Sequence, residues 1–229
     1  MLDKGVERRG PPKPAGVISR TLTAMGQLIL PVLFLLISVT AVWLTRAVPA
    51  TDFRFLKQLD ASLDPASGGW LTWAVLLLPA SFFVLNLTSR RYGPSRAFAS
   101  VVIAWAIVGG GIYWGMSQGL IASFEREVAP VALACAFAGA LFAGQIVCIC
   151  LFDWLRGIPW WEAPLMGALM GGLAFTLVFH AGTGGSWGEA QWPRLAVLAA
   201  VQLIWALGQL LPTAMLRRVI RPAPGFGGA

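Results

Sequence analysis

The sequence predicts an all-α fold, a polytopic membrane protein of six transmembrane helices with both termini in the cytoplasm. Three observations carry this. Hydrophobic residues make up 57% of the 229 residues and charged ones 12%, about half the charged fraction of a soluble domain. Mean hydropathy is +0.73. The apolar residues gather in six runs of roughly 20, the length at which a helix crosses the hydrocarbon layer. No room is left for a soluble domain. The chain reads as a basic N-terminal tail (1–20), a six-helix transmembrane domain (21–216) and a short cytoplasmic C-terminal tail (217–229).

Each element has its own reason. Residues 1–20 combine Lys4, Arg8, Arg9, Lys13 and Arg20 with Pro11, Pro12 and Pro14, a composition that cannot bury a core and is expected to be disordered. The next run, Met25 to Thr45, is too long for the apolar region of a signal peptide and no small-residue cleavage site follows it. It reads as the first span, with Pro31 a candidate kink. Arg46 to Gly69 is mixed and polar, and Phe53, Phe55, Leu56 and Leu59 make a short interfacial helix plausible there. The second span is expected over Trp70–Leu87, followed by a polar loop in which Gly93-Pro94 breaks the helix.

The third span is expected over Ala97–Met116, interrupted by Gly109, Gly110 and Gly111. The fourth covers Val128–Phe152. In it Ala136, Ala140, Gly144 and Cys148 recur every four residues, a small-residue stripe suited to close packing against another helix. The fifth covers Ala163–Ala181, with Gly167 and Gly171 four apart. A glycine-rich loop leads to the sixth, Arg194–Leu216, where Gln202 and Gln209 lie seven apart on one face.

Orientation follows from Lys and Arg counts over the short loops. The N-terminal tail, Arg90, Arg91, Arg96, Arg156, Arg217, Arg218 and Arg221 place twelve basic residues on one side, against five on the other (Arg46, Arg54, Lys57, Arg126 and Arg194). Both termini are therefore expected in the cytoplasm. The net charge of +7 is accounted for by this asymmetry and does not call for nucleic acid. Cys135, Cys148 and Cys150 lie in one apolar run, an odd number that argues against a disulfide framework. His180 has no His or Cys partner at ligand spacing, so no metal is expected. The sequence has no paired carboxylates in an apolar setting, no glycine-rich phosphate loop and no nucleophile motif, so neither an enzyme nor a cofactor is expected.

Between the fourth and fifth spans lies a polar elbow, Asp153 to Glu162. Three segments there and upstream carry a recognisable pattern. Asn86-Leu87-Thr88-x-Arg90-x-Tyr92-Gly93 ends the second span. Gly144-Gln145, then Phe152-x-x-Leu155-Arg156, ends the fourth. Trp160-Trp161-x-Ala163-Pro164, followed by Gly171 and Thr176, opens the fifth. Together they resemble the VUT (vitamin uptake transporter) family, which includes the bacterial queuosine precursor transporters. The likeness covers about Asn86 to Phe179, and the first and last spans follow in hydropathy and order only. The family typically has Asp where this chain has Asn86, Cys148 and Phe175, so neutral side chains stand at all three positions. The resemblance implies an importer of a small purine-like (7-deazaguanine-type) or vitamin-like solute in the bacterial inner membrane. A divergent member acting as a scaffold or partner-binding subunit is the alternative.

Substrate-binding candidates follow, each with a plainer reading beside it. Gln145 either grips a base edge or bonds across a helix interface. Asn86 and Thr88 either line the cytoplasmic mouth or cap a helix end. Arg90 either holds an anionic group or anchors the span at the headgroups. Thr176 adds a hydroxyl. Trp161, with Trp160, is either a belt residue or a stacking platform. His180 is either a proton relay or an interfacial hydrogen-bonding group. Cys148 is expected to pack rather than react. The expected partners are a small-molecule solute and the bilayer, with a homo-oligomer or a membrane-protein partner left open.

Overall fold

The structure, a computed structural model, describes residues 17–45, 48–50, 54–55, 57–58, 72–118, 131–157, 159–183 and 192–222. Residues 1–16 of the expected tail, most of the expected interfacial segment, the loops around 119–130 and 184–191, and residues 223–229 lie outside it, whereas residues 17–20 of that tail open the first helix. The described helices are α1 (Val17–Leu44), α2 (Trp73–Leu77), α3 (Ala80–Tyr92), α4 (Pro94–Ser117), α5 (Val131–Trp154), α6 (Glu162–Gly182), α7 (Trp192–Gly208) and α8 (Leu210–Leu216). They form six spans long and apolar enough to cross a membrane, with α2–α3 making the second and α7–α8 the sixth. The protein is an all-α, multi-pass membrane protein.

Several boundaries differ from the sequence expectation. The second span continues through the polar stretch to Tyr92 rather than ending near Leu87, because Asn86 and Thr88 are buried and hydrogen-bonded inside the bundle. No loop separates it from the third span. Gly93 alone turns the chain, at φ 85°, a left-handed backbone that glycine takes without steric cost. Pro94 then opens α4, where its missing N–H costs nothing. The second span is also broken at Leu78-Pro79, and the sixth at Gln209.

The bundle is built around α5 and α6, its most extensively packed pair. The small-residue stripe of α5 runs antiparallel to the glycines of α6. A Cβ on Gly144 would stand 2.5 Å from the Gly171 carbonyl oxygen, and one on Gly171 would stand 2.8 Å from the Gly144 carbonyl oxygen. One on Gly167 would meet the Cys148 carbonyl at 3.1 Å, and at the far end Gly182 abuts Ala136. The two backbones therefore touch along four turns, the close approach on which helix association in lipid depends. Phe82 from α3 packs on the Gly144–Gly171 contact, and α1 packs on α3 and α4, where Leu35, Val42, Leu85 and Val101 are fully buried. Apolar side chains such as Ile37, Ile107, Ile112 and Leu211 face outward, as a lipid-exposed surface requires.

At one end, Trp43, Phe137, Phe175 and Phe179 form an aromatic cluster. Phe175 and Phe179 stack at 5.5 Å, and Phe137 meets both edge-on. At the other, Arg90 donates to the Ile220 carbonyl and Arg91 to the Arg221 carbonyl, while Arg217 lies 4.9 Å over the Trp160 ring. The α3–α4 turn, the α5–α6 elbow and the end of α8 thus share one basic end.

Candidate polar site within the bundle

Polar side chains converge in the interior where α3, α5, α6 and α8 meet. Asn86 on α3 donates through Nδ2 to the Pro164 carbonyl (3.0 Å) and to Gln209 Oε1 (3.3 Å). Gln209 donates through Nε2 to the same Pro164 carbonyl at 2.9 Å. The Cys148 thiol approaches Asn86 Oδ1 at 3.4 Å. Gly167 makes room for this: a Cβ there would lie 3.1 Å from Asn86 Oδ1. Asn86, Cys148 and Gln209 are at most 4% exposed. The fold thus puts Asn86 and Cys148 in contact. Phe175 joins the aromatic cluster.

Gln145 sits one turn before Cys148 on α5, about 4.5 Å along the axis, and faces α4. Its Oε1 accepts the indole N–H of Trp105 at 2.9 Å, and its side chain is 1% exposed. Gln202 on α7 is 2% exposed and lies over Gly172, where any side chain would collide with it. Its Oε1 has no hydrogen-bond donor among the described residues. A buried acceptor left without a donor costs on the order of 1–3 kcal/mol.

The other expected site residues are scattered. Thr176 is buried but donates to the Gly172 carbonyl of its own helix (3.0 Å). Thr88 does the same to Val84 (2.8 Å). Arg90 lies at the basic end, holding Ile220. Trp161 precedes α6 at that end and is exposed. His180 is nine residues beyond Gly171, about 14 Å along α6, near the aromatic end. Trp161 and His180 therefore lie at opposite ends of one span and share no site. Beside the elbow, Asp153 and Arg156 form an ion pair, and burial lowers the Arg156 guanidinium from its ordinary value. Among the described residues no cluster of His, Cys, Asp or Glu could hold a metal ion.

Two partners escaped the sequence reading, Trp105 and the Pro164 carbonyl. Trp105 carried a usable signal. It lies in the middle of an apolar span rather than at the headgroup belt, and a buried indole N–H normally finds an acceptor. The Pro164 carbonyl carried none, because any backbone oxygen near a helix start could have served. The chain matches no protein-family model, no curated protein and no solved structure.

Proposed function

We propose that this chain is a membrane carrier for a small polar solute, in a closed conformation. One observation carries the reading. The four amides Asn86, Gln145, Gln202 and Gln209 lie inside the bundle, each at most 4% exposed. Polar groups at membrane depth are costly and are usually kept for function. Gln202 Oε1, without a donor among the described residues, is an acceptor that a solute donor would satisfy.

The solute class we assign is purine-like, of the 7-deazaguanine type. It rests on the resemblance to the VUT family and on the amides, which present donor and acceptor side by side as a base edge does. The location assigned is the bacterial inner membrane, with both termini cytoplasmic. The test is uptake of a labelled queuosine precursor by cells lacking their own importer. Accumulation on expression supports the carrier; none, with the protein correctly inserted, rejects it.

The second reading, a non-transporting scaffold, is favoured by one specific feature. The Asn86–Gln209–Pro164 network is closed on itself, as a structural lock would be. It predicts no uptake of any solute and co-purification with a membrane partner.

A further inference from the structure

A cleft of about 460 Å³ opens on the flank of the bundle, between α1, α3 and the chain following α8. Its walls are apolar: Leu30 and Phe34 from α1, Phe83 and Leu87 from α3, Leu216 and Ile220 from the C-terminal end. Its polar lining is confined to one end, where Thr88, Arg91 and Tyr92 stand. From Phe83 to Arg91 is eight residues of helix, about 12 Å. The slot therefore runs from hydrocarbon depth to the basic end of the second span.

We propose that this cleft binds an anionic phospholipid, one acyl chain lying along the apolar walls and the phosphate against Arg91. The charge at its mouth is single-signed. Arg90 and Arg91 hold the Ile220 and Arg221 carbonyls, and Arg91 is the charged residue among those that line the cleft. Arg91 is exposed. One of its five N–H donors goes to the Arg221 carbonyl, leaving the rest of the planar fork for a phosphate, the group it matches best. A zwitterionic lipid would fill the slot equally well but cancel its own charge. The inference does not rest on the carrier reading.

The experiment uses the full chain in neutral detergent, with native mass spectrometry and thermal unfolding as readouts. The probes are phosphatidylglycerol, phosphatidylcholine with the same acyl chains, and glycerol phosphate without chains. Phosphatidylglycerol should bind in preference to phosphatidylcholine by about fivefold per contacting arginine and raise the melting temperature; glycerol phosphate should do neither. Arg91→Gln should cut the preference about fivefold. Leu87→Trp, which keeps every arginine and fills the slot, should abolish phosphatidylglycerol binding while unliganded helicity stays normal. Equal binding of the two lipids would mean ordinary boundary lipid and overturn the proposal. So would glycerol phosphate matching phosphatidylglycerol, since a bare anion site needs no cleft. Absence of any lipid effect, as when another part of the chain fills the slot, would overturn it too.

Discussion

Asn86 and Gln209, 123 residues apart, donate to the same carbonyl oxygen, that of Pro164, and Asn86 also donates to the Gln209 amide oxygen. Three spans are thereby tied at one point. In water such amide bonds would exchange with solvent. Asn86 and Gln209 are at most 4% exposed, so losing one partner leaves another unpaired.

That geometry predicts non-additive mutations. Asn86→Leu strands the Gln209 Oε1, and Gln209→Leu strands one Asn86 N–H. Each should cost on the order of 1–2 kcal/mol. The double variant should cost less than their sum, because with both amides gone neither leaves the other's polar group stranded, and the Pro164 carbonyl loses its two side-chain donors. Thermal or denaturant unfolding in detergent micelles measures this. Strict additivity would mean the two amides do not depend on each other.

The α5–α6 contact makes a second prediction, with its own control. Gly144→Leu should abolish folded protein, since even the first added carbon would stand 2.5 Å from the Gly171 backbone oxygen and neither backbone can yield. Gly139→Leu, five residues earlier on the same helix, meets nothing within 4 Å of its Cβ and should leave yield unchanged. Size-exclusion profiles of the two variants decide it. Equal profiles would show that the glycine contact does not hold the helices together.

Much of this arrangement was legible beforehand. Hydropathy placed the six spans because lipid demands a continuous apolar length. The four-residue spacing of Ala136, Ala140, Gly144 and Cys148 placed the stripe because only small residues let helices touch. What escaped was pairing. Gln145 stood out as a polar side chain at membrane depth, but nothing in its neighbourhood along the chain pointed to Trp105, 40 residues earlier. The extension of the second span to Tyr92 escaped for a related reason. A stretch holding Asn, Thr, Ser and Arg reads as a loop until the tertiary partners of Asn86 and the C-terminal carbonyls held by Arg90 and Arg91 are known.

Topology is the third prediction. Arg90, Arg91 and Arg217 meet at one end, so reporters fused after Arg91 and after Arg218 must read the same side. The positive-inside rule predicts that this side is the cytoplasm, so a reporter active only outside the cytoplasm should be active at Gly184. Opposite readings at Arg91 and Arg218 would break the six-span topology. The same reading on the periplasmic side would leave the bundle intact and invert it.

The fourth prediction concerns Gln145. If the carrier reading holds, Gln145 presents an amide to the solute while Trp105 holds its carbonyl in place. Leu at 145 keeps the volume but removes donor and acceptor together. A solute group left unpaired in a dry site costs on the order of 1–3 kcal/mol, so apparent affinity for uptake should fall roughly ten- to a hundredfold. Stability should fall less, since polar contacts between membrane helices average about 0.6 kcal/mol. Trp105→Phe separates positioning from contact. It frees the Gln145 carbonyl without touching the amide N–H groups, so affinity should drop several-fold while maximal rate is retained. A Gln145→Leu protein that transports as well as wild type would remove Gln145 from the site and leave the Trp105 bond a purely structural clasp.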